Sequence, residues 1–383
     1  MFFNVTKLVR QQIDRKDSVK SVAIAMSGGV DSSVAAAVLR EQGYYVIGLT
    51  MQLWDFERVG GNIFSETSCC SLETMYDARA VCQALNIPHY VIDVRDEFER
   101  LVIQNFESEY LKGRTPNPCI LCNSKIKWQV LLHRAAQLGC DYFATGHYAR
   151  VRFDQTINRY LLQRGIDAAK DQAYALWGLS QWQLSKTIFP LGELTKTQVR
   201  AIAERLNLKT KYKQESQEIC FIPDNDYPRF LRQRNPARFA EIGEGSILNR
   251  EGTVLGRHKG YPYYTIGQRK GLGIAVGKPI YVTEVDAERN QIIVGDKEDL
   301  NRSGLIASQV NWIAIDGLRA PMDVIAQIRY NDPGRPATVY PVSEDTMRVI
   351  FKEHHQAITP GQSVVLFDKD VVVGGGVIDR ALE

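Results

Sequence analysis

The chain has 383 residues, 44% of them hydrophobic and 24% charged, and 47 Lys and Arg against 44 Asp and Glu leave a formal net charge of +3. That length suits two or three domains, and the composition excludes a globally disordered chain. No apolar run is long enough to span a bilayer, and the opening "MFFNVTKLVRQQIDRKD" meets charge too soon for a secretory signal, so the expected compartment is the cytoplasm, with no membrane partner.

From Lys20 to about Gly146 the pattern alternates strand and helix. "SVAIAM", "YYVIGLTM", "HYVIDV" and "CDYFATG" read as strands, and "SSVAAAVLREQG", "LETMYDARAVCQALN", "DEFERLVIQNFESEYLK" and "SKIKWQVLLHRAAQLG" as helices. This order predicts a parallel sheet covered by helices, a Rossmann-like α/β fold that binds ligands at the carboxyl ends of its strands. "YARVRFDQTINRYLLQRG" reads as a hairpin, and "TKTQVRAIAERLNL" closes the region as a helix. After about Asp226 the chain turns glycine-rich and β-like. From about Gly304, runs such as "DVIAQIRY", "TMRVIFKE" and "QSVVLF" predict a small antiparallel barrel or sandwich. The expected domains are residues 1–225, catalytic and nucleotide-binding, followed by two smaller β-rich domains at 226–302 and 303–383.

Between the first strand and its helix stands "AMSGGVDSS". Gly28 and Gly29 let the backbone bend closely around a ligand, and the amides of the turn converge at a helix N-terminus, where partial positive charge favours phosphate. The lysine of the common nucleotide-triphosphate loop is missing, so transfer of a terminal phosphoryl group is not indicated. The alternative is an ordinary helix-capping turn using Asp31 or Ser32.

Seven cysteines, at 69, 70, 82, 119, 122, 140 and 220, are an odd number in a large chain, which argues against a disulfide framework and for reactive thiols or metal ligands. Cys122 lies in a proline-bounded loop just before a predicted helix, and Cys220 in "SQEICFIP". Each has burial as an inert thiol for its alternative. For Cys69 and Cys70, in a polar loop, and Cys82 and Cys140, in element patterns, packing or solvent exposure is the default reading. The near-neutral total charge neither demands nor excludes a nucleic acid. The stretches "KTKYK", "RFLRQRNPARF" and "GRHKGYPYYTIGQRKG" mix cations with aromatics, as RNA contacts do, or are simply solvated faces.

"SGGVDSS" resembles the loop of the N-type ATP pyrophosphatases of the PP-loop superfamily. "GRTPNPCILCNSKIKW", "DYFATGHYAR", "KDQAYALWGLS", "SQEICFI", "YTIGQRKGLGI", "QIRYND" and "TPGQSVV" extend a resemblance to the tRNA-specific 2-thiouridylases nearly end to end. The resemblance implies an enzyme that adenylates the C2 carbonyl oxygen of the wobble uridine, U34, and replaces it with sulfur from a persulfide, releasing AMP and pyrophosphate. Adenylation is chemically apt, because oxide is a very poor leaving group and AMP a good one. ATP with Mg2+ is implied, bound by Ala25, Met26, Ser27, Gly28, Gly29, Val30, Asp31 and Ser32, with Met51 on adenine and Gly146 admitting the nucleotide. Cys220 is implied to carry the persulfide and Cys122 to be the catalytic nucleophile, with a transient Cys122–Cys220 disulfide. Implied tRNA contacts are Asn117, Pro118, Cys119, His147, Lys170, Asp171, Gln172, Arg329, Tyr330 and Gln362. The partners are the anticodon loop of tRNA and a persulfide-donor protein, and no DNA is expected.

One departure concerns Cys119. Many relatives carry an aspartate there that touches the target base, whereas here Cys119 and Cys122 form C-x-x-C. Lining of the base pocket is the preferred reading. An iron–sulfur cluster held by Cys119, Cys122 and Cys220 is the alternative, and no dedicated metal site is otherwise expected. Two other functions stay open on sequence: a carboxylate-adenylating synthetase or amide ligase sharing the glycine turn, and an RNA- or metal-binding module without turnover.

Overall fold

The computed structural model describes residues 19–53, 72–213, 219–222 and 224–383. The N-terminal segment and the vicinal Cys69 and Cys70 lie outside the described residues. The chain divides into two compact units, the first of residues 1–102, 119–225 and 370–372, the second of residues 103–118, 226–369 and 373–383.

In the first unit, β1 (Ser21–Ala25), β2 (Tyr45–Gln52), β3 (His89–Asp93), β4 (Tyr142–Ala144) and β7 (Thr187–Ile188) form a five-stranded parallel sheet in the order β3-β2-β1-β4-β7. Val22, Ala23 and Ile24 of β1 are fully buried, as an uninterrupted apolar run in the middle of a helix-covered sheet must be. Helix α1 (Val30–Glu41) follows β1, and Gly43 in the left-handed region stops it. With α2 (Leu72–Ala84) and α8 (Lys196–Arg205), α1 packs on the side of the sheet that carries Val22 and Ile24. Thr195 starts α8 with a capping box to Gln198. A hairpin of β5 (Ala149–Asp154) and β6 (Arg159–Arg164) stands where the sequence placed one, and short α7 (Gln181–Ser185) follows before β7.

Helix α3 (Arg95–Phe98) runs through a π-helical stretch, Glu99–Ile103, into α4 (Gln104–Leu111). The next helix begins earlier than its apolar periodicity suggests. Short α5 (Pro118–Leu121) continues through π-helical turns, Cys122–Leu131, into α6 (Leu132–Gln137). Cys122 therefore sits on a helix, not in a loop before one. Pro118 explains the difference, since its fixed φ is already helical and its missing N–H is no loss at a first helical position.

The second unit is β-rich. Helices α9 (Tyr227–Arg234) and α10 (Pro236–Ile242) precede a four-stranded sheet of order β10-β11-β8-β9, built from β8 (Gly245–Leu248), β9 (Val254–His258), β10 (Tyr281–Asp286) and β11 (Gln291–Gly295). Its core joins Ile247, Val282, Ile292 and Val294 to Tyr261, Tyr264 and Leu272. Strands β12 (Asn301–Trp312), β13 (Met322–Gln327), β14 (Arg335–Ser343), β15 (Thr346–Gln356), β16 (Ser363–Asp368) and β17 (Val371–Leu382) follow in the order β12-β15-β14-β13-β16-β17. Pairing of β12 with β17 closes this sheet into a barrel, which removes its edges. The barrel-or-sandwich expectation thus resolves as a barrel, filled by Leu305, Val339, Val349, Leu366 and Ile378. Among the described residues, no helix is long and apolar enough to cross a membrane.

Candidate active site

Strand order β3-β2-β1-β4 reverses direction at β1, and the glycine turn leaves the carboxyl end of that strand. Parallel α/β sheets open a ligand crevice at such a switch point. The turn is built tightly. Gly28 has φ +68°, and a Cβ there would lie 2.1 Å from the Thr74 carbonyl oxygen, so only glycine fits. Ser32 Oγ donates to the Gly29 carbonyl at 3.2 Å and accepts from the Ser27 amide at 3.2 Å. Ser33 Oγ also donates to Gly29 O, at 2.7 Å, and accepts from Thr210 Oγ1 at 3.0 Å. Gly29 caps α1 in extended conformation with no side-chain cap. An anion with acceptor oxygens is the natural complement to such a helix start.

The remaining residues of the loop are distributed as a strand-to-turn transition requires. Ala25 is half-buried and Met26 buried, Val30 is buried in the core of α1, and Ser27 is exposed. Met51 is buried near the end of β2. A Cβ on Gly146 would lie 2.8 Å from both the Asp31 carbonyl carbon and the Ser32 amide nitrogen. The missing side chain at 146 therefore admits the turn's own backbone.

Asp31 is the charged centre of the turn. Lys196 Nζ donates to its two oxygens at 2.8 and 2.9 Å, and Tyr148 Oη donates to Oδ1 at 2.8 Å. The ammonium group also lies 5.8 Å from the centre of the Tyr148 ring. Neither Lys196 nor Tyr148 stands out in the sequence, although Thr195 and Gln198 mark the start of α8 and so place Lys196 at its first position. Asp77, on α2, receives Lys213 at 2.6 Å and Lys209 at 2.9 Å. Burial pushes that carboxyl up, the two ammonium groups outweigh it, and the net position is below the ordinary carboxylate value.

The helix bearing the C-x-x-C pair is anchored beside Cys122. Buried Asn123 donates to the Ala175 carbonyl at 3.0 Å and accepts from Lys127 at 2.8 Å, and Trp128 Nε1 donates to Thr187 Oγ1 at 2.7 Å. Cys119 is exposed and Cys122 half-buried, three residues apart and so on one side of the helix. Cys220 is half-buried, next to buried Phe221, whose ring meets Phe98 edge-on at 5.7 Å. Among the described residues, no three His, Cys, Asp or Glu side chains gather as a metal site. Burial pushes the thiols of Cys82 and Cys140 up to about 12, which keeps them protonated and inert at neutral pH. His147 donates to or accepts from Thr145 Oγ1 at 2.7 Å and lies 5.7 Å from the Trp128 ring. Burial, with the Lys127 charge added, holds its imidazole well below its ordinary value, so it is neutral at pH 7.

The residues singled out as RNA contacts differ in how much surface they offer. Arg329 and Tyr330 are exposed on the turn after β13, Lys170 is partly exposed, and Asn117 is half-buried before buried Pro118. Asp171 is mostly committed inside the first unit, its carboxylate accepting from Arg164 at 2.7 Å, Gly165 N at 3.0 Å and Ala173 N at 3.2 Å. Gln172 Oε1 accepts from the Tyr148 amide at 3.0 Å. Gln362 is half-buried at the turn before β16. Of the basic stretches, Lys209 and Lys213 are paired with Asp77, Lys211 donates to Asn207, and Arg234, Arg238 and Arg257 are paired with Glu107, Glu241 and Glu244. Lys259, Arg269 and Lys270 are exposed.

A glycine turn at the switch point of a parallel sheet, joined to β-rich segments, defines an α/β nucleotide-binding protein of several domains. Comparison with known families narrows this. Residues 20–224 match a family described as the tRNA methyl transferase HUP domain, residues 230–296 its PRC-barrel domain, and residues 302–378 the aminomethyltransferase beta-barrel domain. The tRNA-specific 2-thiouridylase MnmA of Cytophaga hutchinsonii is 51% identical over 364 residues, 94% of this chain and 98% of that protein. Its namesakes from Salinibacter ruber and Clostridioides difficile are 51% and 49% identical, over 93% and 95% of this chain and 94% and 99% of theirs. The chain belongs to the tRNA-specific 2-thiouridylase family.

Proposed function

We propose that the protein is a cytoplasmic, ATP-dependent tRNA-uridine 2-sulfurtransferase that converts U34 of the anticodon loop to 2-thiouridine. Residues 1–225 would carry the chemistry, and 226–302 and 303–383 would grip the tRNA, through Arg329, Tyr330 and Gln362 in the last domain and Lys170, Asp171, Gln172 and His147 in the first. The observation that carries the ATP assignment is the Gly28 turn, whose amides and uncapped helix start favour phosphate at the switch point.

The C2 carbonyl oxygen of U34 attacks the α-phosphorus of ATP, pyrophosphate leaves, and an O2-adenylate forms. Residues 25–32 hold the phosphates, with buried Met51 against the adenine. Bound Mg2+ would neutralise charge on the phosphates, and Asp31 would hold it through the carboxylate lone pairs that Lys196 and Tyr148 leave open. The terminal sulfur of a Cys220 persulfide, loaded by a donor protein, then adds to C2 and AMP leaves, giving a C2–S–S–Cys220 linkage. The Cys122 thiolate attacks Cys220 Sγ, the pair of electrons in the broken S–S bond departs with 2-thiouridine, and a Cys122–Cys220 disulfide remains. A two-electron external thiol reductant restores both cysteines. Asn117, Pro118 and Cys119 line the base pocket, and neutral His147 contributes a hydrogen bond rather than a charge.

The test uses labelled ATP, tRNA and a persulfide donor. Wild type forms AMP and 2-thiouridine, while Cys220→Ser forms AMP without 2-thiouridine. Thiolation at the wild-type rate by Cys220→Ser refutes the persulfide assignment.

A further inference from the structure

The segment between α4 and α5, residues 112–117, has no regular structure of its own, yet other parts of the second unit hold it and the last residue of α4 from two sides. From the four-stranded sheet side, Tyr261 Oη donates to the Leu111 carbonyl at 2.5 Å, and Thr115 Oγ1 donates to Thr265 Oγ1 at 3.1 Å. Gly113, at φ +73°, passes so close to Val285 and Ala287 that a Cβ would lie 3.2 Å from each side chain. From the barrel side, the Pro360 carbonyl accepts the Thr115 amide at 2.9 Å. Gln362 Nε2 donates to the carbonyls of both Thr115, at 2.8 Å, and Pro116, at 3.2 Å. Arg114 donates to the Ile378 carbonyl at 3.1 Å. Gly361 has φ +91°, and a Cβ there would lie 2.9 Å from the Thr115 oxygen and 3.0 Å from its nitrogen.

Every polar backbone atom of Thr115 is thus claimed by the turn Pro360–Gln362, and the residues that follow in the chain are Asn117 to Cys122. Pro116 and Pro118 on either side of Asn117 remove two amide donors and restrict the backbone, so a constraint placed on residues 115 and 116 is passed along a stiff stretch. The donor to both carbonyls, of Thr115 and of Pro116, is a single side-chain amide. We propose that Gln362 is a positioning residue for the Thr115–Pro118 stretch, fixing the backbone that leads into the helix of Cys119 and Cys122 before tRNA arrives. The inference deepens the reading in which that stretch receives U34, and it gives Gln362 a task apart from touching RNA. A carboxylate at this position would face two carbonyl oxygens that it cannot donate to, so Gln362→Glu should expel the segment. Gln362→Met keeps the length and removes only the donors.

Two readouts on the full-length protein separate the roles. Without tRNA or ATP, alkylation of Cys122 by iodoacetamide, followed peptide by peptide in a mass spectrometer, should speed up several-fold in Gln362→Glu and in the same direction, by less, in Gln362→Met. With saturating tRNA, single-turnover thiolation should fall by roughly 10-fold or more, as expected when reacting groups are held off their productive geometry. Any weakening of tRNA binding from the lost contact is overcome at saturation, so a fall that persists there reports misplacement and not binding. Weakened tRNA binding with wild-type alkylation and a wild-type saturating rate would overturn the proposal and leave Gln362 as an RNA contact only. If wild type thiolates no tRNA, the function reading fails by itself, and the alkylation rates of the two variants still decide whether Gln362 positions the cysteines.

Discussion

Removing the Lys196–Asp31 pair tests how the glycine turn keeps its shape. The ammonium group bridges both carboxylate oxygens at 2.8 and 2.9 Å, and the two side chains are only 12% and 27% exposed. A surface pair would contribute about 0–1 kcal/mol. At this degree of enclosure a charge-assisted bond contributes about 2 kcal/mol, which corresponds to a roughly 30-fold change in the open population of the turn. Native-state hydrogen exchange at the amides of residues 27–33 reads that population directly. Lys196→Met and Asp31→Asn should each raise exchange by about that factor, and the double variant should add little to either, because both changes break one interaction. Tyr148 still donates to residue 31 in Lys196→Met, which keeps the effect short of complete loss of the turn. On the proposed reading, in which the turn holds the phosphates of ATP with Mg2+, ATP binding then separates the two charges: Lys196→Met removes a cation and should weaken binding even without Mg2+, whereas Asp31→Asn should weaken it only when Mg2+ is present. Additive exchange effects, or exchange unchanged in both single variants, would refute the claim that this pair holds the turn.

His147 is kept neutral by burial and by Lys127, well below its ordinary 6.5, so the stability this confers is complete above 6.5 and is lost as pH falls from there through the folded value. Urea midpoints should therefore decline on acidification below 6.5, and His147→Gln should flatten part of that decline; an identical slope in the variant would remove His147 as its source. If Cys119 lines the base pocket, Cys119→Asp should retain much of the thiolation with a persulfide donor in iron-free protein, since a carboxylate can accept a hydrogen bond from the uracil edge. Stoichiometric iron and acid-labile sulfide in anaerobic wild type, lost together with activity in Cys119→Asp, would instead make Cys119, Cys122 and Cys220 cluster ligands.

How far the site was legible in the sequence depended on the range of the signal. Gly28, Gly29 and Asp31 lie within one turn, and the strand and helix that flank them announce themselves by local periodicity, so the turn and its place between them could be read before any fold was known. Lys196 and Tyr148 reach the same carboxylate from 165 and 117 residues away, and nothing local distinguishes them from any lysine or tyrosine at an element start. Their meeting is decided by strand order, which places β4 beside β1 and brings the residues after β4 back to the turn. The same limit works against basic stretches. "KTKYK" looks like an RNA contact in isolation, but Asp77, more than 130 residues earlier, takes two of its lysines.

Cys122 shows the converse case, in which a short-range rule was available and pointed to the wrong side of a boundary. Apolar periodicity starts the helix at Ser124, because the first turn of α5 carries few residues whose burial repeats, while Pro118 at its first position already specifies a helix start. The difference matters chemically. On a helix, Cys119 and Cys122 share a side and move together; the helix body is held by Asn123 and Trp128, and the backbone that leads into it is held at Thr115 by Gln362, 247 residues away in the chain. A cysteine pair can therefore be found by its motif, whereas the groups that hold the backbone leading into it are found only from the fold.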